Sequence, residues 1–308
     1  MIKSLLLLTL LATTLSLHAE DAPKKLLVVA ITTGYRHSSI PLAEKAIQEL
    51  GQKGGYTVDF LDQPPGKPES PKNPKPLAPN ATDAEKAAYQ AAVAAHKIAA
   101  QAYHEQETAW ENNALKPALA ALAPANLQKY DGVVFASTTG DLPLPDPQGF
   151  LDWIKAGHAF IGFHAASDTL HHWPGYIDML GGEFMRHGPQ ISVDIHNLDP
   201  KNPATAALPA VWTVKQEEIY NFKNYDGSKV HELLALDKSP LNGTPGDFPL
   251  AWCKSYGKGR VFYCALGHRE DLWDPTYKNR INPPETAEQF RTVVLGGIRW
   301  ALGLANSQ

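Results

Sequence analysis

His158-Ala159-Phe160-Ile161-Gly162-Phe163-His164-Ala165-Ala166 is an apolar run ending in a sharp turn, with an imidazole where G-x-S-x-G hydrolases keep their nucleophile. Such a turn pushes its third residue out above the carboxyl edge of a parallel sheet, where open α/β folds bind their ligands. Imidazole is a poor acyl-forming nucleophile, but it is a good metal ligand or proton shuttle near neutral pH. The spacing leaves open the alternative of a satisfied histidine at the end of a buried strand.

The segments on either side repeat the same pattern. Residues 25–31 form a continuous apolar run of strand length, followed by a polar loop and a helix with Ile40, Ala43, Ile47 and Leu50 on one face, closed by Gly51 and Gly54-Gly55. A second strand is predicted at 57–61, a buried strand at 131–137, a helix around 150–154 and the strand 159–163 that delivers His164. Strands alternating with helices predict an α/β fold: a doubly wound, mainly parallel sheet with helices on both faces. The period-two stretch 190–196 and a hairpin at 251–265 suit an antiparallel edge extension, and 292–302 reads as a terminal helix.

One part of the chain breaks the rhythm. Residues 64–79 are too rich in proline to hold regular structure, and from Thr82 the composition turns to Ala, Gln and Glu, with Thr82-x-x-Glu85 matching a capping box. The spacing predicts a long surface helix to about Leu115, with Tyr89, Val93, His96 and Ala100 on the side that packs. Residues 64–126 are therefore expected to be an insertion in a single domain spanning 24–308. Residues 1–19 read as a secretory signal: Lys3, an apolar stretch and Leu17-His18-Ala19 as the cleavage site. An exported protein, periplasmic or secreted, is expected.

The net charge of −4 over 308 residues gives no basic field for nucleic acid or anionic lipid, and no further segment approaches a membrane span. A small neutral partner suits this balance, and the long helix could also support a homo-oligomer. No G-x-G-x-x-G follows the first strand, so no nucleotide cofactor is expected. The two cysteines, Cys253 and Cys264, flank the hairpin turn at 256–260. Export would permit a bridge between them, but directly opposed cysteines are often strained, so two buried free thiols are the favoured expectation.

Four histidines fall at strand ends or in glycine-rich loops: His37, His164, His187 and His268. If they converge, they can hold a divalent metal, zinc or similar, or relay protons. Carboxylates close to these loops are Asp168, Glu183 and the pair Glu217-Glu218, of which only one can share a strand face with the site. Asp168 can equally cap a helix after the turn. His171-His172-Trp173-Pro174-Gly175-Tyr176 has the composition of a sugar-stacking loop. A Ser167, His164, Asp168 triad is disfavoured, because the three crowd one turn.

Taken together, Gly34-Tyr35-Arg36-His37-Ser38, the strand 130–135, Gly162-Phe163-His164-Ala165-Ala166-Ser167-Asp168-Thr169, Gly181-Gly182-Glu183-Phe184 with His187, Glu218-Ile219-Tyr220, and the 256–263 hairpin with Gly267-His268 resemble the trehalose-utilisation (ThuA-like) family. The resemblance implies a class I glutamine amidotransferase-like, flavodoxin-like fold and a part in sugar catabolism, including oxidised (3-keto) disaccharides. Amidotransferase chemistry is not expected, since the turn lacks the cysteine it requires. The resulting expectation is a hydrolase or lyase acting on a glycoside or 3-keto-glycoside. In it, His164, Asp168, His37 and Glu218 are catalytic, while His164, His187, His268 and Glu218 hold a metal. Tyr35, Arg36, His172, Trp173 and Tyr176 touch the sugar. A non-catalytic sugar-binding or scaffolding protein is the alternative.

Overall fold

The computed structural model describes residues 22–305, so the expected signal segment lies outside the described residues. Five strands form the parallel part of a nine-stranded sheet: β1 (Lys24–Val29), β2 (Tyr56–Leu61), β3 (Gly132–Ala136), β4 (Ala159–Phe163) and β11 (Gly259–Cys264), in the order β2-β1-β3-β4-β11. The sheet continues antiparallel through β10 (Pro245–Tyr256), β9 (His231–Lys238), β6 (Ile191–Asn197) and β7 (Val211–Glu217). A separate two-stranded ribbon pairs β5 (Glu183–His187) with β8 (Tyr220–Lys223).

Buried strands carry apolar side chains on both faces, and each face takes its own helices. Leu26, Val28, Val134, Ile161 and Phe262 face the helices Ile40–Gly54 and Pro284–Ala301 through Ile47, Phe290 and Val294. Leu27, Val29, Val133, Phe135, Phe160 and Tyr263 face the helices Pro147–Lys155 and Pro174–Leu180 through Phe150, Ile154, Tyr176 and Leu180. The mixed α/β architecture with an antiparallel extension is therefore as the sequence predicts. The terminal helix starts earlier than expected, at Pro284, because its first two turns bury Ala287 and Phe290.

The helix Asp83–Trp110 begins with the predicted capping box, in which Glu85 N donates to Thr82 Oγ1 and Thr82 N donates to the Glu85 carboxylate. Its packing differs from expectation. Val93 is 43% exposed, and the only buried residue of the helix is Trp110 at its far end, whose Nε1 donates to Pro65 O. The long amphipathic side is too polar and alanine-rich to drive burial, and one indole anchors it instead.

In the hairpin, Cys264 lies opposite Ala251 and Cys253 opposite Phe262, so the thiols are offset; both are free and buried. Among the described residues no helix is long and apolar enough to cross a membrane.

Candidate metal centre

The three parallel strands β1, β4 and β11 point the same way, so the loops that succeed them open on one edge of the sheet. His37 stands in the loop after β1, His164 is the first residue after β4, and His268 closes the loop after β11. The turn at His164 is the elbow the sequence predicts: His164 has φ of 47°, a left-handed conformation that a residue with a Cβ adopts at a cost. Gly162 permits it, because a Cβ there would come within 3.1 Å of both Ala166 and Tyr263. The chain leaves the elbow as a short 3-10 turn, His164–Asp168, rather than as an α-helix.

The three loops are tied to one another. Ser39 Oγ donates to Gly267 O at 2.9 Å, linking the His37 loop to the His268 loop. Gly267 has φ of 126° and sits against Trp273, whose Nε1 donates to the same carbonyl. Lys67 donates to the carbonyls of Thr32, Thr33 and Gly34, so the proline-rich segment, although it lacks regular structure, clamps the loop that holds His37. Neither tie was legible in the sequence, since both join segments far apart in the chain.

One nitrogen from each of His37, His164 and His268 and one oxygen of Glu218 all lie within 4.8 Å of one another. His164 Nε2 is 3.2 Å from His37 Nε2 and 3.8 Å from Glu218 Oε1, and His268 Nδ1 is 3.3 Å from the same oxygen. A tetrahedron with bonds of about 2.0 Å has edges of about 3.3 Å, so these donors need move little to close on a zinc-sized cation. His164 is fully buried, and its Nδ1 is 2.8 Å from Ala265 O, which can only accept; the proton is therefore on Nδ1 and Nε2 presents its lone pair. A backbone carbonyl fixing the far nitrogen is the usual outer shell of a metal-binding histidine. Tyr220 donates its hydroxyl to His164 Nε2 at 2.9 Å.

Electrostatics divide the cluster. Burial, reinforced by His268, lowers the His37 imidazole to about 4. Burial, with His37 beside it, holds His164 well below the ordinary range, against the opposing pull of the Ala265 carbonyl. Both rings are thus neutral, as metal ligands must be. Burial works against the charges of Glu218 and His268, yet their pairing outweighs it: the carboxyl is held below and the imidazole above its usual range. The nearby Glu217, fully buried, accepts from His268 N, and burial raises its carboxyl to about 7.

The expected metal set needs one exchange. His187 is 43% exposed at the rim, with Nδ1 bonded to Gly188 O and 3.1 Å from Glu218 Oε2, whereas His37 is buried among the donors. The ribbon β5–β8 swings His187 outward, and His37 completes the cluster in its stead. The Glu217-Glu218 alternation resolves as expected for neighbours, with Glu218 and Tyr220 turned to the imidazoles and Glu217 turned to the His268 backbone. Tyr220 was the residue missed, although its i, i+2 spacing from Glu218 was a usable signal.

Of the expected sugar contacts, Tyr35 is 67% exposed and packs its ring edge-on against His37 at 4.8 Å. Arg36 is exposed but turns back, donating to Ala30 O and Gln63 Oε1. His172 is exposed, 3.5 Å from Asp141. Trp173 is half-buried against Tyr176, and Tyr176 itself is core: it is buried, with its hydroxyl donating to Ala166 O. The helix Pro174–Leu180 needs an apolar face, and Tyr176 supplies it. Asp168 caps no helix; its Oδ1 pairs with His171 Nε2. Next to the cluster, Tyr220 also lines a cavity of about 410 Å³ whose other walls include Arg186, Asn221, Phe222, Tyr225 and Phe248.

Residues 80–301, most of the chain, match the family described as ThuA, trehalose utilisation. The chain belongs to the ThuA family. The match contains His164, Glu218 and His268, while His37 precedes it. No curated protein matches the chain. Among solved structures, a ThuA-like protein from Bacteroides uniformis is similar at 19% identity over 91% of this chain and 92% of that one, with a TM-score of 0.57. A ThuA-like protein from Parabacteroides merdae is similar at 17% identity over 93% and 92%, with a TM-score of 0.58. These likenesses bear on the fold. The family ties the chain to carbohydrate use.

Proposed function

We propose that this ThuA-family chain is an exported carbohydrate-processing enzyme, a hydrolase or lyase acting on a glycoside or 3-keto-glycoside, with a divalent cation, zinc or similar, held by His37, His164, Glu218 and His268. The observation that carries the reading is the four-donor cluster at the carboxyl edge of the sheet. The donor chemistry supports it: the fixed His164 tautomer and two neutral imidazoles are what a cation would complete. When bound, the cation supplies Lewis acidity toward a carbonyl or hydroxyl oxygen of the sugar.

The chain's own groups supply the proton transfers. On a 3-keto-glycoside the carbonyl acidifies the adjacent C–H, and Asp168, one oxygen of which is anchored by His171, takes that proton as the C–H bond breaks. His187, exposed at the rim beside Glu218, gives a proton to the departing glycosidic oxygen as its C–O bond breaks. Tyr35 and the aromatic walls of the neighbouring cavity offer faces on which sugar rings stack. The export reading rests on the N-terminal signal pattern alone.

The test is turnover of 3-ketotrehalose by the zinc-loaded full chain, with chromatography of the products and with His164→Ala and Asp168→Asn alongside. Release of glucose or an eliminated sugar, lost in both variants, supports the reading. Saturable binding without product would favour a sugar-binding protein instead.

A further inference from the structure

His171 lies outside the four-donor cluster, and it is bound at both ring nitrogens by carboxylates. Its Nε2 is 2.7 Å from Asp168 Oδ1 and its Nδ1 is 2.6 Å from Glu183 Oε1. Carboxylates only accept when ionised, so two such contacts require protons on both nitrogens. Glu183 is 2% exposed and is itself held from two further sides, by Lys223 Nζ at 2.9 Å and Asn224 Nδ2 at 2.6 Å. The chain Asn224 and Lys223 to Glu183, Glu183 to His171, and His171 to Asp168 thus runs from the ribbon β5–β8 to the turn that starts at His164.

We infer that His171 is a positioning residue, clamped as an imidazolium between Glu183 and Asp168 so that Asp168 has one oxygen tied and the other left free at the end of the His164 turn. Among the described residues Asp168 Oδ2 makes no hydrogen bond. This rests on the proposed reading of the cluster around His164 as an active site, and it names what holds its base.

The charges that face the pair agree. Burial works against the His171 charge, yet Glu183 and Asp168 outweigh it and raise the imidazole above its ordinary range. Burial raises Asp168, and His171 opposes the rise, as does His187 more weakly, while Glu218 adds to it. Removing the imidazolium therefore leaves Asp168 harder to ionise. A base that must be ionised to work then needs a higher pH.

The experiment is imidazole ¹⁵N and carboxyl ¹³C NMR of the full-length protein across pH, in wild type, His171→Gln and Glu183→Gln. The expected result is His171 doubly protonated through pH 7 in wild type and deprotonating at lower pH in Glu183→Gln, with Asp168 titrating at higher pH in His171→Gln. His171→Gln keeps a polar group in the space, so it tests the charge even if Glu183→Gln, a buried change, does not fold. With 3-ketotrehalose the acid limb of kcat should move to higher pH in His171→Gln while KM changes little. A neutral His171 at pH 7 in the wild type, or an Asp168 titration that His171→Gln leaves in place, overturns the inference. An intact clamp in a protein that does not turn over 3-ketotrehalose counts against the substrate reading and leaves the positioning role standing.

Discussion

Two groups of histidines lie on the same edge of this sheet, and their surroundings drive them to opposite charge states. His37 and His164 face each other nitrogen to nitrogen, buried, with one carboxylate within reach; His171, a short turn away, is held between two carboxylates. Burial dominates in the first group and keeps both rings neutral, whereas carboxylate contacts outweigh burial in the second. Residue type alone thus says little about role. Lone pairs aimed at a common point make a cation site, and protons aimed at carboxylates make a brace.

Removing cluster residues should separate the two kinds of histidine by the widest margin. Glu218→Gln and His164→Ala should each weaken zinc binding by about 100-fold or more, beyond the 10- to 100-fold typical of outer-shell changes. His171→Gln should leave it nearly unchanged. Calorimetric titration of the three variants checks this, and equal losses would merge the two groups.

A smaller effect is expected from pH. Because the folded His37 is lowered to about 4 and His164 is also lowered, while both recover ordinary values near 6.5 on unfolding, the unfolded chain binds more protons through that window. Stability is therefore full above about pH 6.5 and is lost as pH falls toward about 4. The melting temperature of the metal-free protein should fall as pH falls across that window, and zinc should steepen the upper part of the fall, because it also keeps His268 unprotonated in the folded chain. A melting temperature rising toward pH 4 would contradict the neutral assignment.

His268 shares the metal cluster but carries the opposite tendency, raised by its pairing with Glu218. Zinc uptake near pH 6.5 should consequently release about one proton, read as a buffer-dependent binding enthalpy. No release would mean that His268 is not a ligand. The smallest effect is expected far from both groups. Thr82→Ala removes the capping box of the exposed helix and should cost about 1 kcal/mol locally, visible as faster amide exchange in its first turns, with zinc affinity unaltered.

Much of the framework was legible because it obeys short-range rules. The apolar runs of β1, β3 and β4, the elbow at His164 and the capping box at Thr82 each lie within a few residues of sequence. The expectation of free cysteines also holds, because the hairpin register offsets the two thiols. The site was legible only in its residue types. That His37 and not His187 joins the donors depends on where the β5–β8 ribbon carries the latter, and that ribbon pairs segments more than 30 residues apart. Tyr176 read as a sugar contact because an aromatic beside glycine and proline looks exposed, but helix packing claims it for the core. The clamp on His171 was invisible because its two carboxylates come from different elements.

Three imidazoles and a carboxylate are proposed to form one cation site. Elemental analysis and zinc titration of the chelator-stripped full chain test it most directly. One zinc per chain, bound in the wild type and lost in Glu218→Gln while the fold is retained, is the predicted result. A wild-type chain that takes up no zinc or other divalent cation at neutral pH would contradict it.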